Sequence, residues 1–277
     1  MKTISGRTAV VTGGGNGLGR SIALALADRG ADVAIADIRL DDARVVAEEI
    51  RSRGRRALAV EVDVADPRSV AALADRAFAE FGGVDILINN AGVNWRPLRT
   101  VIEASLEDWR FILGVNLFGV IHGLDAFLPR MRRQPGEKHI VNTASFVSVV
   151  PLAGMTPYTA SKAAVAALSE TMARELAQFG FGVTILCPGI VRTEFGAHSE
   201  ALRGPGERGV DRTFATQFED PLQPRVVAAA IGPEAIGAMV CEGILSGQLY
   251  LHTQPIDGDM IVARQYIQFG PQTQART

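Results

Sequence analysis

Short runs of β-branched and apolar residues alternate with helical patterns along most of this chain. The runs predict strands at Thr8–Thr12, Asp32–Asp37, Ala57–Val62, Asp85–Asn89, His139–Thr143, Gly182–Leu186 and Gln248–Leu251. Helical patterns lie between them, at Leu18–Arg29, Asp41–Arg53, Pro67–Phe81, Ser105–Met131, Thr156–Phe179 and Pro224–Leu245. Strands that alternate with helices build a parallel sheet covered on both faces, because each right-handed crossover lays its helix against the sheet. The sequence therefore predicts an α/β fold with a doubly wound parallel sheet.

No linker interrupts this alternation before about residue 190, so the 277 residues are interpreted as one domain, residues 1–277. A chain of this length buries enough surface to fold without disulfides or metals. Residues 189–223 show no clear period and are predicted to form a functional loop region. Residues 252–277 form a C-terminal extension beyond the last predicted strand.

The charge balance and the scattered metal-binding residue types exclude several classes of protein. Lys and Arg total 28 against 30 Asp and Glu, a net charge of -2, whereas nucleic-acid binders carry a basic excess. The four histidines are far apart and both cysteines lie in apolar runs, so no metal site is predicted. The longest apolar stretch, residues 111–128, is interrupted by an Asn, a His and an Asp. We expect a cytoplasmic protein that binds neither nucleic acid nor membrane.

The first predicted strand runs into a glycine-rich segment, TGGGNGLG, which opens the first predicted helix. Glycines permit positive φ angles and let a phosphate group approach the backbone closely. The free N–H groups at a helix N-terminus attract that anion. This combination predicts a dinucleotide site whose pyrophosphate is held by Gly13, Gly15, Asn16, Gly17, Leu18 and Gly19.

Asp37 stands at the end of the second predicted strand, 18 residues after Gly19. An acid at this place is expected to bind the hydroxyls of the adenosine ribose. Its carboxylate would repel a 2′-phosphate, so NAD is predicted as the cofactor and NADP is less favoured. Arg39, two residues further on, could reach a 2′-phosphate and keeps NADP as the alternative.

Of the three tyrosines, only Tyr158 has a basic residue four positions later, Lys162. Residues at i and i+4 share one face of a helix. A nearby ammonium lowers the pKa of a phenol, which can then exchange a proton with an alcohol or a carbonyl as hydride moves. Ser145 lies at the carboxyl end of the fifth predicted strand, two residues after Thr143 and 13 residues before Tyr158, where its hydroxyl can hold the reacting oxygen. Asn116 is a buried amide in an otherwise apolar helical run.

These positions resemble the short-chain dehydrogenase/reductase family in its compact single-domain branch. The resemblance runs from about residue 5 to residue 195 and rests on Thr12–Gly19 (TGxxxGxG), Asp63-Val64, Asn89–Gly92 (NNAG), Asn116, Ser145, Tyr158-x-x-x-Lys162 and Pro188-Gly189. It implies a Rossmann fold and an NAD(P)-dependent oxidoreductase that interconverts a secondary alcohol and a ketone.

The resemblance also implies a role for each matching residue. Tyr158 is the catalytic acid/base, Lys162 lowers its pKa and contacts the nicotinamide ribose, and Ser145 orients the substrate oxygen. Asn116 holds a water in a proton relay to Lys162. The other matches are expected to contact the dinucleotide: Asp63 and Val64 at the adenine, Thr193 at the nicotinamide carboxamide, and Asn90, Ala91, Gly92, Pro188, Gly189 and Val191 along the cofactor site.

By the geometry of the family, the substrate pocket is built from residues 93–100, residues 146–156 and the substrate loop region 189–223. These stretches contribute apolar and aromatic side chains, Trp95, Phe146, Val149, Leu152, Met155, Phe195, Phe214 and Phe218. Such a lining suits a bulky apolar or aromatic small molecule. Ser148 lies ten residues before Tyr158, the wrong spacing for the catalytic serine, and is expected to line the pocket.

Two other functions fit parts of the pattern. An epimerase or dehydratase of the same superfamily would carry a larger C-terminal domain and a TGxxGxxG loop, whereas here Asn16 stands at that motif's second glycine. A non-catalytic dinucleotide sensor would lack the tyrosine or the lysine that this chain retains.

The resemblance implies an assembly, a homodimer or a homotetramer. The long predicted helices Ser105–Met131 and Thr156–Phe179 carry apolar residues around much of their circumference and would pair across a two-fold axis. The usual family ending, a vDGG-like turn, is replaced by His252-Thr253-Gln254-Pro255. The extension is therefore expected to cover the substrate pocket of its own or a neighbouring subunit.

Overall fold

The computed structural model describes residues 1–94, 101–193, 195–203 and 230–256. These ranges contain seven strands, β1 (Thr8–Thr12), β2 (Asp32–Asp37), β3 (Ala57–Glu61), β4 (Ile86–Asn89), β5 (Lys138–Thr143), β6 (Phe181–Cys187) and β7 (Tyr250–His252). All pairs are parallel, and the strands form one sheet in the spatial order β3-β2-β1-β4-β5-β6-β7. The predicted doubly wound parallel sheet is confirmed.

Helices cover both faces of the sheet. They are α1 (Gly17–Asp28), α2 (Leu40–Ser52), α3 (Pro67–Phe81), α4 (Leu106–Leu113), α5 (Gly119–Met131), α6 (Thr156–Leu176), α7 (Phe195–Arg203) and α8 (Pro233–Ser246). Apolar side chains of α1, α2 and α8 form one buried cluster, and those of α3, α5 and α6 form another. In β1, Val10 belongs to the second cluster while Ala9 and Val11 belong to the first, because successive strand residues point to opposite faces.

The predicted single helix Ser105–Met131 is wrong in its middle. It begins as predicted, since the Ser105 side chain accepts from the Asp108 N–H (3.1 Å) and Asp108 accepts from the Ser105 N–H (2.8 Å). Between α4 and α5, however, Gly114–Phe118 form one wider π-helical turn. This turn contains Asn116, whose amide is hydrogen bonded to both backbone groups of Val93. The apolar periodicity gives no sign of that long-range bond.

Three other boundaries differ from the predictions. The region 189–223, in which apolar residues show no clear period, contains helix α7, Phe195–Arg203. The predicted helix Thr156–Phe179 ends at Leu176 and continues as the 3-10 turn Ala177–Phe179, which Gly180 closes in the left-handed conformation. The last helix was predicted to span Pro224–Leu245. In the described residues, which resume at position 230, it begins at Pro233 and ends at Ser246.

Several predicted features lie outside the described residues. These are Trp95, Phe214 and Phe218 of the predicted pocket, residues 204–223 of the substrate loop region, the start of the predicted helix Pro224–Leu245, and residues 257–277 of the C-terminal extension.

One helical run in the described part of the chain, Leu106–Met131, is long and apolar enough to cross a membrane, with a mean hydropathy of 1.7. Its residues Ile112, Phe127 and Met131 are nonetheless fully buried among other elements of the domain. Asn116, also fully buried, interrupts the run with a polar network. The run therefore serves as a packed helix of the α/β fold.

Candidate active site

Strands β1 and β4 are neighbours in the middle of the sheet. From β1 the chain adds β2 and β3 on one side, and from β4 it adds β5, β6 and β7 on the other, so the direction of strand addition reverses between β1 and β4. In doubly wound sheets a crevice opens at this point, beyond the carboxyl ends of the strands. The glycine-rich segment follows β1, Asn90 follows β4, Ser145 follows β5 and Pro188 follows β6. The sheet thus brings four of the predicted segments to the same edge.

The glycine-rich segment folds into a tight cradle that tolerates no side chain at key positions. Gly13 has φ +60° and Gly17 has φ +52°, both in the left-handed region. A Cβ on Gly19 would lie 1.9 Å from the Gly13 carbonyl oxygen. The cradle leads directly into the N-terminus of α1, where the first N–H groups lack intrahelical acceptors.

Asn90 and Thr12 hold this cradle against β4. The Asn90 side chain donates to the carbonyls of Thr12 (3.0 Å) and Gly13 (3.2 Å). The Thr12 hydroxyl accepts from the N–H groups of Asn90 (3.0 Å) and Ala91 (3.1 Å). Thr12 belongs to the predicted glycine-rich motif, but its hydroxyl bonds to the loop after β4 were not predicted. Its hydroxyl is a structural link between the two central strands.

Asp37 lies at the end of β2 beside the cradle, as predicted. One carboxylate oxygen accepts from the Gly15 N–H (2.8 Å) and the other from the Arg39 N–H (3.0 Å). These two bonds fix the direction of the carboxylate and leave lone pairs for further donors. Further along the same edge, the Val64 carbonyl accepts from His122 Nδ1 (2.9 Å), and Asp63 caps the following turn through Ala65 N (2.9 Å).

The segment after β6 crosses the other end of the crevice. The Pro188 carbonyl accepts from the Phe146 N–H (2.8 Å), and the Gly189 N–H donates to Thr253 Oγ1 (3.1 Å). Val191 forms an isolated bridge with Ile231. The Thr193 methyl lies 3.4 Å from where a Cβ on Gly17 would stand, so this segment and the cradle face each other. Thr253 was not predicted as a site residue.

Tyr158, Lys162, Ser145 and Asn116 converge at the carboxyl end of β5. The buried Lys162 ammonium donates to the Thr143 carbonyl (2.7 Å) and lies 5.8 Å from the centroid of the Tyr158 ring. The Tyr158 hydroxyl is hydrogen bonded to Ser145. Asn116 donates to the Val93 carbonyl (2.9 Å) and to Ser161 Oγ (3.1 Å).

Gly92 lies where this cluster meets the loop after β4. A Cβ on Gly92 would lie 3.3 Å from Asn116 Oδ1 and 3.4 Å from Lys162 Nζ. The structure therefore brings together all four predicted catalytic residues and the NNAG segment.

Burial dominates the electrostatics of this cluster. It lowers the pKa of Lys162 to about 8. Burial also raises the pKa of Tyr158, and the hydrogen bond with Ser145 offsets part of that rise. For the protein chain alone, the pKa of Tyr158 therefore lies above its ordinary value, and its lowering by Lys162 stays a prediction.

A buried polar chain beneath the site was missed by the sequence analysis. Asn89 donates to Asn142 Oδ1 (2.8 Å), Asn142 donates to Ser169 Oγ (2.9 Å), and Ser169 donates to the Val165 carbonyl (2.7 Å). The chain ties β4, β5 and α6 together, and α6 is the helix that carries Tyr158 and Lys162. Two asparagines at matching ends of adjacent predicted strands were the available signal.

Apolar residues form a wall next to Ser145. Buried Phe146 and Val150 pack with Val149, Leu152, Ile190 and Ile256. Phe195, on α7, is 38% exposed. Ser148, whose place in the pocket lining stays a prediction, donates to the Ser145 carbonyl (2.5 Å) and lies 3.9 Å from Cys187 Sγ.

A doubly wound sheet with a glycine cradle at its switch point places the protein in the Rossmann class of α/β proteins. Residues 7–203 match the short chain dehydrogenase family. The chain belongs to this family of oxidoreductases.

Known proteins resemble the chain over most of its length. It is 36% identical over 200 residues to the 1-deoxy-11-beta-hydroxypentalenate dehydrogenase of Streptomyces exfoliatus, covering 72% of this chain and 73% of that protein. It is also 36% identical over 219 residues to the probable oxidoreductase EphD of Mycobacterium tuberculosis. That match covers 76% of this chain but only 37% of EphD, so the chain spans little more than a third of that relative.

Among solved structures, a short chain dehydrogenase/reductase from Burkholderia phymatum in complex with NAD superposes with a TM-score of 0.87. It is 32% identical, and the match covers 100% of this chain and 99% of that one. The residues of this chain fit such a dinucleotide: the cradle excludes side chains at Gly13 and Gly19, and Asp37 stands beside it with free lone pairs.

Proposed function

We propose that this chain is an NAD-dependent oxidoreductase that interconverts a secondary alcohol and a ketone, with Tyr158 as general acid/base. The observation that carries the proposal is the convergence of Tyr158, Ser145 and Lys162 at the sheet edge that also holds the glycine cradle. NAD, when bound, accepts or supplies the hydride at its nicotinamide ring.

In this proposal the Tyr158 hydroxyl exchanges a proton with the substrate oxygen, which the Ser145 hydroxyl holds. A phenol whose pKa is raised by burial rests in its protonated form, which suits proton donation to a ketone. Lys162, with a pKa of about 8, carries a proton at neutral pH and favours the phenolate that remains. Asn116 anchors the π-helical turn and takes part in the proton relay to Lys162.

NAD rather than NADP is supported by the carboxylate of Asp37 beside the cradle. A 2′-phosphate at this place would meet a negative charge. We propose that the dinucleotide also contacts the other residues of the cradle and of the strand ends, namely Gly15, Asn16, Leu18, Asp63, Val64, Asn90, Ala91, Gly92, Pro188, Gly189, Val191 and Thr193.

The substrate is proposed to be a bulky apolar or aromatic small molecule. The wall of Phe146, Val149, Leu152, Ile190 and Ile256 beside Ser145 supports this class, because such a surface favours apolar groups. One relative is named as a dehydrogenase of 1-deoxy-11-beta-hydroxypentalenate.

The proposal is tested by the substitution Tyr158→Phe, assayed with NAD and a panel of aryl and alicyclic secondary alcohols. We expect turnover to fall by about 10²- to 10⁴-fold, since the variant lacks the group that moves the proton. Binding of NADH, measured by fluorescence, is expected to stay within about twofold of the wild type, because the ring that packs with Val93 and Ile112 remains.

Tyr250→Phe is the matched control, because it removes a partly buried phenol that bonds Glu170 away from this cluster. Undiminished alcohol oxidation by Tyr158→Phe would refute the assigned chemistry. Faster turnover of small polar polyols than of aryl or alicyclic alcohols would refute the substrate class.

We further propose that the protein is cytoplasmic and assembles as a homodimer or homotetramer through α5 and α6. Apolar and small residues line a groove between these two helices, Leu124, Leu128, Ala167, Leu168 and Met172, with Thr171 and Glu175 at its side. Apolar side chains in a surface groove favour burial against a second molecule.

A further inference from the structure

We propose that Asp42 is a second determinant of dinucleotide choice, because it neutralises Arg39, the basic side chain that stands next to Asp37. The inference rests on the proposed preference for NAD. It concerns the end of the crevice where the adenosine ribose would lie.

Arg39 is bound to both acidic neighbours through different groups. Its backbone N–H donates to Asp37 Oδ1 (3.0 Å), while its guanidinium Nη2 lies 2.6 Å from Asp42 Oδ2. The backbone bond keeps Arg39 beside Asp37. The ion pair turns the guanidinium towards Asp42 and supplies the acceptor that a 2′-phosphate would otherwise provide.

Asp42 borders the same point of the cradle as Asp37. A Cβ on Gly15 would lie 2.8 Å from Asp37 Oδ2 and 2.8 Å from the Asp42 Cβ. The Arg39–Asp42 pair is therefore part of the rim of the ribose site.

Helix α7 brings a second acceptor close to the guanidinium. His198 Nδ1 accepts from Asn16 Nδ2 (2.9 Å) and faces Arg39 Nη2 at 3.4 Å. Arg39 Nη2 thus has two acceptors nearby, a carboxylate on α2 and an imidazole on α7, and Asn16 connects the imidazole to the cradle. The guanidinium has these acceptors before any nucleotide binds.

The balance of charge at this rim predicts the effect of removing Asp42. A 2′-phosphate would face the carboxylates of Asp37 and Asp42 and the single guanidinium of Arg39. Loss of the Asp42 charge leaves one acid and one base. Because the side chains of Arg39 and Asp42 are 41% and 37% exposed, water weakens the effect to about three- to tenfold in affinity.

The test compares Asp42→Asn with Asp41→Asn. Both acids lie in the first turn of α2, so both substitutions remove the same charge near the same helix end. Asp41 pairs with Arg44 (3.0 Å) and its side chain is 91% exposed. This makes Asp41→Asn a control for changes in net charge and helix stability.

Binding is measured by calorimetry with adenosine 2′,5′-bisphosphate and with 5′-AMP, which differ only in the 2′-phosphate. We expect Asp42→Asn to bind the bisphosphate about three- to tenfold more tightly than the wild type, with 5′-AMP unchanged within about twofold. The kcat/KM for NADP is expected to rise by a similar factor. Asp41→Asn is expected to change neither.

The double substitution Arg39→Gln/Asp42→Asn identifies the group responsible. It is expected to lose the gain, because the freed guanidinium is then absent. A gain that persists in the double variant, or an Asp42→Asn variant no better than Asp41→Asn, overturns the role of Asp42 while leaving the NAD proposal intact. A wild type that uses NADP better than NAD overturns both.

Discussion

His139 lies in β5 and is completely buried. Its Nε2 lies 2.9 Å from Thr184 Oγ1, and that hydroxyl donates to the Gln248 carbonyl (2.7 Å). The hydroxyl must therefore accept from the ring, so Nε2 carries the proton. Nδ1 packs against Gly182 and has no hydrogen-bond partner among the described residues. Burial lowers the pKa of His139 to about 3.

This histidine is predicted to make the fold sensitive to acid. The unfolded chain takes up the proton near pH 6.5, whereas the folded chain resists it down to about pH 3. Stability is thus fully present above pH 6.5 and is lost as the pH falls, by up to about 1.4 kcal/mol per pH unit. Urea unfolding of the wild type between pH 7.5 and pH 5 should show this slope.

The substitution His139→Gln keeps a donor that can reach Thr184 and removes the titrating ring. We expect its free energy of unfolding to be lower at pH 7.5, since the packing is altered, but to depend less on pH below about 6.5. Equal slopes for the two proteins would show that other groups cause the acid sensitivity.

At the scale of single residues, the sequence predicts those functional residues that are recognised by their spacing within one short segment. Tyr158 and Lys162 are one helical turn apart, and the cradle glycines all lie within residues 13–19, so each pattern is visible in a single segment. The links from Thr12 to Asn90, 78 residues away, could not be predicted because each bond joins distant parts of the chain. The burial of Tyr158 likewise depends on neighbours that only the folded chain provides.

The end of β7 supports the segment that follows β6. Thr253 and Gln254 are 9% and 5% exposed. Thr253 Oγ1 accepts from the Gly189 N–H (3.1 Å), and Gln254 Nε2 donates to the Ile190 carbonyl (3.4 Å). Because the Pro188 carbonyl accepts from both Ser145 Oγ (3.5 Å) and the Phe146 N–H, this support extends to the proposed catalytic serine.

Thr253→Val is predicted to weaken dinucleotide binding, because it keeps the shape but leaves the Gly189 N–H without an acceptor. Loss of such a partner corresponds to a decrease of about tenfold in affinity. The dissociation constant of NADH, measured by fluorescence, is the readout. Thr253→Ser restores the hydroxyl and is expected to bind like the wild type. A serine variant as weak as the valine variant would show that the methyl packing matters instead.

Element boundaries were predicted where a local signal marks them. Helix α3 has its predicted bounds, Pro67–Phe81, with Pro67 in its first turn; the structure adds the Asp66 cap before it and the left-handed Gly82 after it. The π-helical turn at Gly114–Phe118 was missed because its cause, the bond between Asn116 and Val93, crosses 23 residues. Helix α7 was missed because its nine residues carry no clear apolar period.

The whole topology was predictable from the order of elements. Seven strands separated by helices leave few arrangements, since parallel crossovers are right-handed. The substrate has no comparable signature, because the apolar wall joins residues from three distant segments. Phe146, Ile190 and Ile256 meet only after β5, β6 and β7 have paired.

Assembly is also a property of the whole molecule. The groove between α5 and α6 is lined by side chains of Leu124, Leu128 and Leu168, with the small, exposed Ala167 between them. Burying this face against a second copy would remove apolar surface from water, which stabilises the dimer by about 25 cal/mol per Å² buried. A charge at Ala167 would have to be buried without a partner.

Ala167→Glu is therefore predicted to lower the assembly by one step, from tetramer to dimer or from dimer to monomer, as measured by light scattering after size exclusion. A buried, unpaired carboxylate costs several kcal/mol, which opposes association at this face. Ala71→Glu is the matched control, because Ala71 is an exposed alanine on α3, outside the groove. Both variants should keep the circular dichroism of the wild type.

If Ala167→Glu has the mass of the wild-type assembly while that assembly is larger than a monomer, the α5–α6 face is not the contact. A wild type that is monomeric at working concentration contradicts the assembly itself.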